Sequence, residues 1–230
     1  MFDEMRKAKL ADSTTREVKL EGHPALEPAS QLLSWATSVD WRISAEGKRR
    51  TDPLPPWPSG LPRPIQDPPY SSNEDVADKL FLSAVGYILH HELAHLRLRH
   101  SPQRGADSIQ QENEADLAAA TWLLDGLDEN DNRFIQRALG TAVALLSLAA
   151  LNVYVPHAGD PSHPAGYDRL TRVLTQFIED DNHPVWADVG LALETHLHAR
   201  GLDYDPDRKT VSKRDAVQYY ADVISKAHRV

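Results

Sequence analysis

Two histidines and a glutamate lie close together in the segment His91-Glu92-Leu93-Ala94-His95. On a helix, residues four apart lie on the same face one turn apart, so both imidazoles can reach a single ion. Glu92 lies about 100° away around the helix, where it can take a proton from a water molecule at the ion. This HExxH spacing predicts a Zn²⁺ site with His91 and His95 as ligands and Glu92 as the catalytic base.

A catalytic zinc site needs a third protein ligand and an open position for water. The chain has no cysteine, so the third ligand must be a histidine or a carboxylate. A metzincin pattern is excluded, because Leu98 and Ser101 stand where a glycine and a third histidine would be. Further along, Glu112 and Asp116 are one helical turn apart. We expect Glu112 to be the third ligand and Asp116 to accept the free N–H of a ligand histidine.

Three other polar residues near these motifs are expected to matter less. Glu114 is turned away from the face that carries Glu112 and Asp116, so its removal should hardly affect metal binding. His90 and His100 are interpreted as surface residues of the same helices.

A later segment offers donors for the oxyanion of a tetrahedral intermediate or for substrate. The available side chains are His157, His163, Tyr167 and Arg169. These residues also have structural alternatives: His163 precedes a proline that can begin a helix, and Arg169 can pair with a carboxylate such as that of Glu112 or Asp116.

The metal-binding histidines require a long helix to carry them. Ser72 or Asn73 can cap a helix that runs to about His100. Because its apolar residues occur nearly all round, we expect it to be central and buried. A second helix, with Glu112 and Asp116, is expected from near Asp107 or Ser108 to Gly126.

The remaining pattern predicts a mainly α fold, a zincin-like helical metallopeptidase domain with at most a small strand near the N-terminus. Further helices are expected at about 28–44, 131–153, 165–180, 184–199 and 213–228, and a weak strand signal lies at 15–20. Residues 51–70 hold 8 of the 16 prolines, which predicts an extended loop. We therefore divide the chain into an N-terminal segment, 1–50, with one helix, and a single metallopeptidase domain, 51–230.

Charge and the distribution of apolar residues bear on the protein's partners and location. The net charge of −9 argues against nucleic-acid binding, which needs a basic surface. The apolar run 138–155 is interrupted by polar residues and is interpreted as a buried helix rather than a membrane span. The first residues do not resemble a secretion signal, so we expect a cytoplasmic location.

With its HExxH segment followed by an ExxxD helix, the chain resembles the gluzincin peptidases and most closely the Lit family of phage-exclusion proteases. The resemblance spans about 57–180. It rests on the 57–69 stretch, on LFLSAVGYILHHELAHLRLRH, on QENEADLAAATWLL, and on His163-Pro164 followed by Arg169. It implies intracellular proteolysis in antiviral abortive infection, with translation elongation factor Tu as the type member's target.

The expected function is therefore that of a zinc-dependent endopeptidase whose activity is latent until a phage-derived activator or an altered substrate is present. Two alternatives stay open. The same chemistry serves a zinc hydrolase of another kind, such as an amidase, a deacetylase or a quality-control enzyme. A non-catalytic binding module stabilised by zinc is disfavoured by Glu92, since closed structural sites use four protein ligands.

Overall fold

A computed structural model describes residues 26–38, 55–100, 106–152, 166–205 and 208–227. Within these ranges no residue belongs to a β-strand, and the predicted mainly α fold is confirmed. The weak strand signal at 15–20 lies outside them. The helices are α1 (Leu26–Ser38), α2 (Asn73–Arg97), α3 (Ala106–Leu124), α4 (Asn132–Asn152), α5 (Gly166–Leu174), α6 (Pro184–Ala199) and α7 (Lys213–Ala227).

Helix α2 begins where the sequence indicates. The Ser72 hydroxyl accepts a hydrogen bond from the Asp75 backbone N–H at 3.2 Å, which confirms Ser72 as the cap. Glu74 and Asp75 place negative charge at the positive end of the helix dipole. The helix ends at Arg97, three residues before the predicted His100.

Helix α2 packs mainly against α3 and α4. Its crossing with α4 is close at Gly140, where an added Cβ would lie only 2.3 Å from the Cβ of Ser83. The buried face of α2 carries Ser83, Ala84, Tyr87, His91 and Ala94. The two neighbouring helices therefore determine which residues of α2 face the interior.

The expectation that α2 is buried all round was wrong. Phe81, Leu82 and Leu96 have exposed fractions of 63%, 66% and 75%, and Leu89 is also exposed. Among the described residues, α3 and α4 cover one side of α2 and leave these side chains uncovered. Apolar composition was a poor guide to burial, because burial depends on neighbours that the helix's own sequence does not specify.

Helices α4 to α7 form the rest of the core. Helix α4 contacts α5 and α6, while α6 packs on α7 and α1. The largest fully buried side chains include Phe134, Leu145, Leu170 and Trp186. In the described part of the chain, no helix combines the length and apolar character needed to cross a bilayer. Much of the apolar run in α4 faces this core, as predicted.

Helix α5 is shorter than predicted, ending at Leu174 rather than near residue 180. The Thr175 hydroxyl donates a hydrogen bond to the Arg172 carbonyl at 3.0 Å, and tight turns follow. Such side-chain bonds compete with helical backbone bonds.

The described part of the proline-rich segment, 55–70, lies partly against α1. The rings of Trp35 and Trp57 have centroids 4.7 Å apart, and Trp35 Nε1 donates to the Pro55 carbonyl at 3.2 Å. These contacts attach the start of the segment to α1.

Candidate metal centre

His91, His95 and Glu112 bring their ligand atoms together between α2 and α3. The two Nε2 atoms of the histidines are 3.1 Å apart. Glu112 Oε2 lies 3.4 Å from His91 Nε2, and Glu112 Oε1 lies 3.4 Å from His95 Nε2. One ligand atom from each residue falls within 4.8 Å of the others, a grouping that could hold a metal ion.

The spacing of these atoms fits a zinc ion. With bond lengths of about 2.0–2.1 Å, two ligands of a tetrahedral zinc ion are about 3.3 Å apart. The 3.1 Å between the two nitrogens and the 3.4 Å from each nitrogen to one of the two Glu112 oxygens lie close to that value. Two imidazole nitrogens and one carboxylate form a donor set used by catalytic zinc sites, which leave the fourth position open. The residues present therefore fit the predicted cofactor.

Asp116 lies behind His91. Its carboxylate is fully buried, and Oδ1 is 3.0 Å from His91 Nδ1, the ring nitrogen on the far side from Glu112. The atoms are close, but the direction of the ring N–H departs from hydrogen-bond geometry. Asp116 is thus placed against the ligand histidine, where a carboxylate influences the tautomer and orientation of the ring.

Among the described residues, three side chains donate hydrogen bonds to Asp116. Arg169 of α5 donates from Nε to Oδ2 at 2.8 Å and from Nη2 to Oδ1 at 2.6 Å. Tyr87, one turn before His91, donates its hydroxyl at 2.8 Å, and Arg172 adds a longer bond at 3.3 Å. A buried carboxylate with several donors of this kind is held in one orientation.

These contacts shift the pKa values of the cluster. Burial alone would raise the pKa of Asp116, but His91 and Arg169 outweigh it and hold that pKa below its ordinary value. Burial likewise disfavours a charged His91, yet Asp116 and Glu112 raise the pKa of His91 to about 9. The pKa of His95 is lowered by burial and by the neighbouring His91. The side chains around His91 thus favour a positive charge at this position, whether a proton or a metal ion carries it.

Glu92 lies on the solvent side of the same turn. It is exposed, in contrast to buried His91, and is close enough to His95 to affect its pKa electrostatically. An exposed carboxylate between two ligand residues is accessible to a substrate.

The expectation that His100 is a surface residue was wrong. Its side chain is only 6% exposed, and its Nδ1 lies 2.9 Å from His95 Nδ1. On its other side, His100 Nε2 lies 3.1 Å from Glu114 Oε2. Glu114 does point away from the three candidate ligands, but it contacts His95 indirectly through His100. His90 is half-buried and stacks on Trp122, with ring centroids 3.5 Å apart.

The structure places the later candidates differently from one another. Arg169 is buried against Asp116 and also lies 3.4 Å from Glu112, which is the pairing considered as its alternative role. Tyr167 is buried, and its hydroxyl lies 3.3 Å from His196 Nε2. Burial raises the pKa of Tyr167 to about 12, so it stays protonated. His157 and His163 lie outside the described residues.

The sequence analysis missed two residues around the site, Tyr87 and Arg172, and misjudged a third, His100. Tyr87 carries a readable signal, because it precedes His91 by one helical turn. Arg172 follows Arg169 by three residues, also on the same helix face. His100 had no helical signal, since its position depends on how α2 ends.

Comparisons with known proteins identify the chain's family as one of peptidases. A relative from Escherichia coli (strain K12), "Cell death peptidase", is 30% identical over 193 residues, which cover 84% of this chain. The matched region covers 62% of that relative, so the chain corresponds to about three-fifths of its length. No solved structure matches the chain significantly. The family model described as Peptidase U49 matches residues 1–188, and the chain belongs to this peptidase family.

Proposed function

We propose that the protein is a zinc-dependent endopeptidase of the cytoplasm. The observation that carries the proposal is the convergence of His91, His95 and Glu112 at separations suited to zinc. Membership in a peptidase family supports hydrolysis of a peptide bond over hydrolysis of another amide.

Each residue has a role in this proposal. His91, His95 and Glu112 hold the ion, which supplies Lewis acidity that activates water and polarises a carbonyl. Glu92 takes the proton of the attacking water and passes it to the leaving amine. Asp116 orients His91 and is itself held by Arg169.

The oxyanion donor is a separate part of the proposal. Arg169 contacts the metal cluster directly, with Nη2 3.4 Å from a Glu112 carboxylate oxygen. Its two strong bonds to Asp116 favour a positioning role for Arg169. Direct substrate contact is therefore proposed for Tyr167, His157 or His163, with Tyr167 requiring a movement that exposes its hydroxyl.

For the biological role, we propose phage exclusion by cleavage of a host protein. The name of the E. coli relative, "Cell death peptidase", supports a role in which proteolysis leads to death of the cell. Elongation factor Tu is the first candidate substrate, as the resemblance to the Lit family implies. We further propose that a phage-derived activator controls the activity, since unrestrained proteolysis would damage the host.

The deciding experiment combines metal analysis with a search for cleavage products. Wild-type protein should carry about one zinc per chain, and His91→Ala or His95→Ala should remove it. His198→Ala, an exposed histidine on α6, is the control and should retain zinc. Equal zinc content in all four proteins would refute the site.

For substrate, bacteria expressing wild type or Glu92→Gln are infected with a panel of phages, and new protein termini are mapped by mass spectrometry. We expect termini in one host protein that depend on Glu92. If none appear while the purified enzyme degrades unfolded proteins indiscriminately, quality-control proteolysis replaces the phage-exclusion role.

A further inference from the structure

The end of α2 turns the chain back toward the metal cluster. Arg99 has a left-handed backbone with φ of 56°, a conformation that costs a residue other than glycine about 1–2 kcal/mol. The backbone N–H of Arg99 bonds to the Leu96 carbonyl, and that of His100 bonds to the His95 carbonyl at 3.0 Å. This is the pair of bonds that defines a Schellman motif. It brings His100 alongside His95.

The contacts of His100 form a continuous chain with His95 and an acid. His100 Nδ1 is 2.9 Å from His95 Nδ1, and His100 Nε2 is 3.1 Å from Glu114 Oε2. The other oxygen of Glu114 accepts a hydrogen bond from Gln110 at 2.8 Å. The Glu114 side chain is 45% exposed, whereas the His100 side chain is only 6% exposed. The carboxylate is therefore held in place toward the imidazole.

Only one arrangement of protons satisfies these contacts when both histidines are neutral. An ionised Glu114 can only accept, so His100 Nε2 must carry the proton that it donates. His100 Nδ1 then has a lone pair, and the proton in the 2.9 Å contact must belong to His95 Nδ1. His95 Nε2 is left with a free lone pair, directed toward His91 and Glu112.

We propose that Glu114 and His100 are positioning residues that hold His95 in the tautomer required for a metal ligand. The inference rests on the proposed metal site and extends it. Asp116 is in direct contact with His91, whereas Glu114 acts on His95 through an intervening imidazole. Each ligand histidine is then backed by its own carboxylate. This replaces the expectation that Glu114 contributes little.

The first test measures zinc affinity by competition with a chelating dye. His100→Ala should weaken zinc binding about 10- to 100-fold, as loss of such supporting contacts does, and Glu114→Ala should weaken it by a smaller factor. His198→Ala is the matched control and should bind like wild type. The backbone bond from residue 100 to the His95 carbonyl survives in His100→Ala, so a loss reports on the imidazole.

The second test reads the tautomers without using activity. Nitrogen NMR of ¹⁵N-histidine-labelled, zinc-loaded wild type should show His95 protonated on Nδ1 and His100 protonated on Nε2. Glu114→Ala, a change at a partly exposed site, should broaden or shift the His100 signals even if His100→Ala fails to fold.

The outcomes separate the inference from the metal site itself. If wild type binds no zinc through His91 and His95, the proposed function fails. If wild type binds zinc and both His100→Ala and Glu114→Ala bind it equally well, only the positioning role fails. A His100 ring protonated on Nδ1 alone would also overturn the positioning role, because it would reverse the donor in the contact with His95.

Discussion

Arg169 and Asp116 form a two-point ion pair in the interior, with Nε 2.8 Å from Oδ2 and Nη2 2.6 Å from Oδ1. The two residues are 4% and 0% exposed. The pair joins α5 to α3 behind the candidate metal ligand His91. It therefore connects folding stability with the geometry of the site.

Replacing Arg169 with alanine should strongly destabilise the protein. The change leaves the Asp116 carboxylate buried without its main partner, and breaking a buried pair in this way costs about 3–5 kcal/mol. The measurement is the free energy of unfolding from urea titration of metal-free protein. Arg133→Ala removes an exposed arginine paired with Asp131 and should change stability little. Similar effects of the two variants would contradict a structural role for the buried pair.

Glu92→Gln should keep the fold and the zinc but lose activity. Its side chain is exposed and carries none of the candidate ligand atoms, whereas an amide cannot take a proton from water. Loss of a general base typically reduces turnover about 10²- to 10⁴-fold. Turnover is measured as Glu92-dependent cleavage of host protein in phage-infected cells, and zinc content is measured on the purified variants. Glu74→Gln, the same change in the first turn of α2, serves as control; wild-type turnover in Glu92→Gln would exclude Glu92 as the base.

The acids of α3 should differ in their effect on zinc binding according to whether they are candidate ligands. Glu112→Ala removes a candidate ligand and should abolish tight zinc binding. Asp116→Ala should weaken binding about 10- to 100-fold through His91. Zinc affinity is measured on the folded fraction, since Asp116→Ala also removes the main partner of buried Arg169. A larger loss in Asp116→Ala than in Glu112→Ala would show that Glu112 is not a ligand.

The ligand residues and helix bounds that could be predicted depend on residues that are close together in the sequence. His91 and His95 share a face because they are four residues apart, and the same holds for Glu112 and Asp116. Helix bounds set by local caps and breakers were also close to prediction: α6 spans Pro184–Ala199 as expected. Helix α5, by contrast, ends at Leu174 rather than near residue 180. We inferred from the chemistry of the motif that the acidic residues of α3 face α2.

Long-range packing explains what could not be predicted. Arg169 lies 53 residues from Asp116 along the chain, and nothing in the local pattern selects that partner over Glu112. The exposure of Phe81 and Leu82 depends on which sides of α2 the other helices cover. The position of His100 depends on a left-handed Arg99, where sequence preference would favour glycine.

Two glycines in the packed helices offer a matched pair of substitutions: Gly140, where α4 crosses α2, and Gly86, where α2 faces α3. In Gly140→Ala, the new Cβ would meet Ser83 Cβ at 2.3 Å and the Ala84 backbone nitrogen at 3.1 Å, so the helices must separate. Overpacking of this kind costs about 1–3 kcal/mol. Gly86→Ala places its Cβ in ordinary contact, 3.8 Å from Leu123, and should gain about 0.5–1 kcal/mol from helix propensity. Thermal unfolding of the metal-free proteins should thus shift in opposite directions, and a Gly140→Ala variant as stable as wild type would refute the close crossing.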